Sequence, residues 1–146
     1  MWDVSGKNNT ARSATAQAIL RAKKETLNAI KEGKVPKGDP LPVAKVAAVQ
    51  AAKNTPAIIP SCHPLPLTHV GVEFLLHEDS VEIFVTTKTD YKTGVEMEAL
   101  TAAAAAALAL YDMLKQIDMG MTIESIKLLE KTGGKSDFRR EETSAD

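Results

Sequence analysis

The strictest hydrophobic pattern lies in the middle of the chain. From His69 to Leu76 polarity alternates with a period of two, with Val70, Val72, Phe74 and Leu76 on one face and His69, Gly71, Glu73 and Leu75 on the other. That alternation predicts a half-buried strand. After a short turn at "HEDS", His77 to Ser80, the positions Val81, Ile83 and Val85 resume the period and predict a hairpin whose second arm continues through Thr86 to Thr93. Elsewhere the period is helical. Ala16, Ile19, Leu20, Lys23, Leu27 and Ile30 predict an amphipathic helix from Ser13 to Glu32, capped by Ser13 and stopped by Gly33. A second helix is expected from about Leu41 to Asn54, a long one from about Val95 to Ile117, and a closing strand in "MTIESIKLLEK" after Gly120.

The intervening segments read as irregular. Pro36, the Gly38-Asp39 pair, Pro40 and Pro42 resist helix in "KVPKGDPLP", which is therefore expected to be a loop. "NTPAIIPSCHPLP" reads as extended chain, because residues before proline are pushed out of the helical region. These elements imply a single α+β domain over residues 1–136, with helices on one face of a mainly antiparallel sheet. Residues 137–146 read as a flexible tail.

Composition narrows the functional classes. The 146 residues carry a formal net charge of -1 and only 4% aromatics, which gives no overall electrostatic case for nucleic acid and few stacking platforms. One cysteine excludes an intrachain disulfide framework, and "MWDVSGK" lacks the features of a signal peptide, so a cytoplasmic protein is the default expectation. The apolar run Ala99 to Leu110 is shorter than the roughly 20 residues of a membrane span. No membrane partner is expected.

Several side chains invite chemistry. Cys62 and His63 are neighbours in extended chain and point apart, and with no second cysteine a metal site is not expected. Proline-stiffened chain presents the His63 imidazole rigidly, which leaves a site role and a structural role evenly open. On the long helix Glu98, Ala105 and Asp112 recur every seven residues, on a stripe that also carries Ala102 and Ala109, so that its smooth middle suits close packing by another element or subunit. Glu98 and Asp112 lie about 21 Å apart along that helix, so one small site cannot use both from one chain. Lys115 follows Asp112 by three residues and can pair with it. Glu96 and Glu98 flank Met97 in the first turn, where the helix dipole favours acids. "LLEKTGGKSD" fails as a Walker A loop, because Leu129 stands where a glycine is required. Its Gly133 and Gly134 nonetheless free backbone amides for an anion between Lys131 and Lys135, with a simple solvated turn as the alternative. Lys37 sits in a tight Pro-Lys-Gly loop.

Taken in order, "MWDVSGK", "KVPKGD", "IPSCHPLPLT", "KTGVEMEALTA", "YDMLK" and "LLEKTGGKS" resemble the cyclic pyranopterin monophosphate synthases, the MoaC family of molybdenum cofactor biosynthesis. The resemblance spans Met1 to about Ser136. It implies a ferredoxin-like fold and a homohexamer, a trimer of dimers, with active sites at the dimer interface. It also implies a lyase that converts a 3',8-cyclo-dihydro-GTP to cyclic pyranopterin monophosphate and pyrophosphate. Carried over position by position, it points to Lys37, Asp112, Lys115 and Lys131 as catalytic residues. Asp3, Cys62, His63, Glu96, Met97, Glu98, Gly133, Gly134 and Lys135 become substrate-binding positions. No cofactor is implied, although Mg²⁺ could accompany the triphosphate. A generic nucleotide phosphohydrolase and a non-catalytic nucleotide-binding or assembly module are the rival readings. This chain departs from the usual family pattern at Trp2, at Pro40 and Pro42, in its alanine run and at Asp137.

Overall fold

The structure is a computed structural model and describes residues 1–141. Its elements are β1 (Thr10–Arg21), α1 (Lys24–Lys31), α2 (Pro40–Lys53), α3 (Thr55–Ile58), β2 (Leu67–Leu76), β3 (Ser80–Tyr91), α4 (Glu96–Leu114), β4 (Thr122–Thr132) and β5 (Phe138–Arg139). The strands form one sheet in the order β2-β3-β1-β4-β5, with every neighbouring pair antiparallel. Helices α2 and α4 pack against each other and against the sheet. This is the α+β, ferredoxin-like arrangement, in which β3 separates β1 from β2 and β4 returns to the far side of β1.

The hairpin, the second helix, the long helix and the closing strand form where the hydrophobic pattern puts them. The first element corrects the sequence reading. Ser13 to Arg21 belongs to the central strand β1, and helix begins only at Lys24. Ala14, Ala16, Ala18 and Leu20 are each no more than 1% exposed. They satisfy a period of two as well as the helical spacing that Ala16, Ile19 and Leu20 suggested. Alanine favours helix by local propensity, but pairing on both edges, with β3 and β4, outweighs that weak preference. Leu27 and Ile30 are buried by α1 as the helical period requires. Gly33, at φ +69°, ends that helix in a Schellman turn: its N–H donates to the Ile30 carbonyl and that of Lys34 to Ala29.

Two prolines are also corrected. Pro40 and Pro42 belong to the first turn of α2, where a missing N–H removes no helical bond, and the Asp39 carboxylate caps that turn by accepting from the Leu41 N–H at 3.2 Å. In the proline-rich stretch Thr55–Ile58 makes one helical turn before the chain becomes irregular. Of the residues beyond Asp137, Phe138 and Arg139 pair with Lys131 and Glu130 as β5. Residues 142–146 lie outside the described residues.

The core is built from methyl groups on three facing surfaces. Ala14, Ala16 and Ala18 of β1 meet Ala102, Ala103, Ala106 and Ala107 of α4, and Ala44, Ala48 and Ala52 of α2 join the same cluster. The expected smooth stripe is therefore divided. Its Ala102 edge is buried by the chain's own sheet and α2, whereas Ala105 and Ala109 are half-buried and Asp112 is exposed. Helix α4 as a whole reaches 19 residues with a composition apolar enough to cross a membrane, a longer stretch than its uninterrupted apolar run suggests. Half of it is buried inside the fold, as expected of a core helix.

Candidate functional site

The two ends of α4 carry two separate groups of polar side chains. At its C-terminal end Asp112 is flanked by two lysines. Lys115 Nζ lies 2.9 Å from Asp112 Oδ1 and Lys37 Nζ lies 3.5 Å from Oδ2, while Lys37 also donates to the Asp112 backbone carbonyl at 3.0 Å. The loop between α1 and α2 brings Lys37 there, with Gly38 at φ +104° turning the chain immediately after it. Hydrogen bonding and attraction from Lys115, with a further contribution from Lys37, hold the Asp112 carboxyl below its ordinary value. The same pair raises Lys115. This group is an ionised carboxylate between two cations, largely open to solvent.

At the N-terminal end two cavities adjoin. A small one of about 180 Å³ is lined by Trp2, Ser61, Cys62, His63, Leu65, Met97 and Glu98, and it shares Thr93, Gly94 and Glu96 with a larger cavity of about 600 Å³. Glu98 is only 3% exposed. Burial pushes its carboxyl up; its own backbone N–H pulls partly back, and the neighbouring Glu96 adds to the rise. Burial, followed by the two glutamates, also raises the Cys62 thiol, which is the opposite of what an activated nucleophile needs. His63 Nε2 lies 2.7 Å from the Trp2 carbonyl oxygen. A carbonyl only accepts, so Nε2 carries the proton in this contact and a neutral His63 keeps Nδ1 as an acceptor.

The larger cavity is cationic. Lys7, Arg12, Lys131 and Lys135 line it, together with Thr10, Gly134, Ser136 and the single carboxylate of Glu96. Lys131 Nζ lies 3.6 Å from Glu96 Oε1. Glu96 folds back over Gly94 so closely that a Cβ on that glycine would sit 2.6 Å from Glu96 Oε2. A side chain at position 94 would displace that carboxylate from its place between the cavities.

Gly133 and Gly134, at φ +92° and +77°, lie against Arg12. The N–H of Gly133 already donates to Asp137 Oδ1 at 3.0 Å. The glycines let a positive-φ turn approach Arg12, and in this arrangement the Gly133 amide is engaged by Asp137 while Gly134 lines the cationic cavity. Asp3 stands in the N-terminal segment, its carboxylate lowered by hydrogen bonds from the Ser5 hydroxyl and amide. It does not join the residues lining either cavity.

The structure thus brings together Cys62, His63, Glu96, Met97, Glu98, Lys131, Gly134 and Lys135. It sets Lys37, Asp112 and Lys115 apart, since Glu96 and Asp112 are about 24 Å apart along α4. Sequence reasoning missed Arg12 and Lys7. Read as a strand, β1 signals Arg12 clearly, because it is the one charged position in the alternating series Arg12, Ala14, Ala16, Ala18. The mistaken helix hid that. Among the described residues no three His, Cys, Asp or Glu side chains converge as metal ligands. A void of about 670 Å³ beside β1, β4 and β5, lined by Thr15, Leu129, Glu130, Arg139, Arg140 and Glu141, contains none of the candidate residues.

Comparison with known proteins gives this arrangement its context. Residues 1–134 match the model of the MoaC family. The chain is 51% identical to a cyclic pyranopterin monophosphate synthase of Peptoclostridium acidaminophilum over 142 residues, covering 97% of this chain and 90% of the relative. It is 52% identical to that of Syntrophomonas wolfei over 138 residues, covering 93% and 88%. With that of Thermomicrobium roseum the identity is 51% over 148 residues, covering 99% and 89%. Matched over nearly its whole length by the family's model and by these relatives, the chain belongs to the MoaC family.

Proposed function

We propose that the protein is a cyclic pyranopterin monophosphate synthase, a cytoplasmic lyase of molybdenum cofactor biosynthesis. Its substrate is (8S)-3',8-cyclo-7,8-dihydroguanosine 5'-triphosphate and its products are cyclic pyranopterin monophosphate and pyrophosphate. The observation that carries this reading is the joining, through Thr93, Gly94 and Glu96, of a small pocket walled by Met97, Cys62 and Glu98 to a larger one lined by four cations. A base-derived ring suits the first and a triphosphate the second.

The residues divide the work accordingly. Lys131 and Lys135, with Arg12 and Lys7, neutralise the phosphates and the departing pyrophosphate. A hydroxyl of the sugar-derived portion displaces pyrophosphate from the α-phosphorus, which closes the cyclic monophosphate. Lys135 and the Gly133-Gly134 turn hold phosphate, with Gly134 and Lys135 lining the cationic cavity. Opening the imidazole ring and closing the new pyrazine ring require several proton transfers, which fall to Lys37, Asp112, Lys115 and Lys131. His63 Nδ1 accepts or relays a proton, Met97 with Glu96 and Glu98 lines the base pocket, Cys62 forms its wall, and Asp3 orders the N-terminal segment beside it.

Lys37, Asp112 and Lys115 gather at the C-terminal end of α4, about 24 Å along the helix from Glu96 and the same subunit's cavities. They serve the cavities of a neighbouring subunit, so the active site is shared across a dimer interface within a homohexamer, a trimer of dimers. The protein needs no resident cofactor, and Mg²⁺ enters, if at all, with the triphosphate.

Incubation with the cyclised nucleotide should yield the pterin and pyrophosphate together, with neither produced from GTP. Phosphate release from GTP or ATP would favour a phosphohydrolase, and binding of the cyclised nucleotide without pyrophosphate release a non-catalytic module. Either result overturns the proposal.

A further inference from the structure

We infer that Trp2 is a positioning residue, whose indole stacks on the base-derived ring of the substrate at the smaller cavity. The inference rests on the proposed function and extends it to a group outside the acid, base and phosphate inventory. Trp2 lines the small cavity together with Cys62, His63, Met97, Glu96 and Glu98. It is also 86% exposed, the most exposed large apolar side chain in the protein among the described residues. Within one chain, a tryptophan that lines a cavity yet is this uncovered presents its ring to the cavity mouth, where a flat ligand can meet it.

The backbone that carries it is anchored. Its carbonyl accepts from His63 Nε2 at 2.7 Å, and the next residue, Asp3, accepts from the Ser5 amide at 2.9 Å. Lys92 Nζ reaches the Ser5 carbonyl at 3.5 Å, which ties the same segment to the end of β3. The indole thus stands on a fixed peptide beside the pocket. It supplies what the rest of the small cavity lacks, because the lining offers a thiol, a thioether, an imidazole, an aliphatic side chain and carboxylates but no other large aromatic face. A heteroaromatic ring gains from stacking on such a face, whereas the phosphates of the same ligand gain nothing from it. The assignment therefore separates two parts of the substrate: Trp2 acts on the ring, and the lysines of the larger cavity act on the phosphates.

Trp2 is the only tryptophan in the chain, so its emission reports this position alone. The cyclised nucleotide should quench the emission saturably, and inorganic triphosphate should leave it unchanged. Trp2→Ala should raise KM about fivefold or more, with a smaller fall in kcat, and Trp2→Phe should recover part of that loss. The oligomeric state of both variants is to be measured by light scattering. Turnover by the wild type with unquenched emission and an unaltered KM in Trp2→Ala overturns the role of Trp2 alone. So does a raised KM that coincides with loss of the assembly, which would make Trp2 a packing residue between subunits. Absence of turnover by the wild type overturns the proposed function and the stacking role together.

Discussion

The two ends of α4 solve opposite electrostatic problems with similar residues. At the N-terminal end Glu98 is buried beside Glu96, and desolvation together with a like charge favours its neutral form. At the C-terminal end Asp112 is exposed between Lys37 and Lys115, and both cations favour its ionised form. Walls, cavities and an anchored N-terminal segment surround the first group. The second has its ion pairs and the solvent. A cavity-lined group and an open, ionised acid-base group thus occupy opposite ends of one helix, and the proposed shared site calls for two copies of the chain to bring them together.

The largest expected effect tests that requirement. Lys37→Ala and Lys131→Ala, which alter opposite ends, should each reduce pterin formation by roughly 100-fold or more while leaving the fold intact. Mixed after dissociation and reassembled, the two variants should regain a measurable part of wild-type turnover, since some shared sites then receive both lysines. Confirmed mixing without recovery would show that the ends do not cooperate. Gly94→Ala should affect only the N-terminal end. A Cβ there forces the Glu96 carboxylate to move, and turnover should fall about 10- to 100-fold with little change in melting temperature. An unchanged rate would mean that the position of Glu96 is immaterial.

The smallest effect is in stability, and its sign differs between the ends. Glu98 has a folded-state pKa above its ordinary 4.5, so between those values the folded state binds more protons and stability falls as pH rises. Glu98→Gln removes that loss. Urea unfolding from about pH 4 to about pH 8 should show a variant whose relative stability increases with pH. Asp112 behaves in the reverse sense, because its depressed pKa contributes stability that is lost as pH falls through the folded value. Asp112→Asn should therefore shift the acid side of the profile alone, and slightly, given its exposure. The same slope change in both variants would erase the distinction between the ends.

Much of this was legible before the fold was known. Val70 to Leu76 could form only a half-buried strand, Gly33 had to stop a helix, and the three-residue spacing of Asp112 and Lys115 already implied their pairing. The first strand was not legible, because Ala16, Ile19 and Leu20 fit either period and alanine's local preference pointed to helix. That error concealed Arg12. The turn at Gly133 and Gly134 was also ambiguous, since spacing alone could not show that Asp137 would take the first amide.

The sequence by itself determined the periodic elements, the small side chains of the core and the kinds of acid and base present, because these follow from local spacing and side-chain chemistry. Only the tertiary structure decided that β1 is a strand, that Glu98 is buried while Asp112 is open, and that the candidate residues divide into two groups. Those outcomes depend on which surfaces pair and exclude water, and that is settled between elements far apart in the chain.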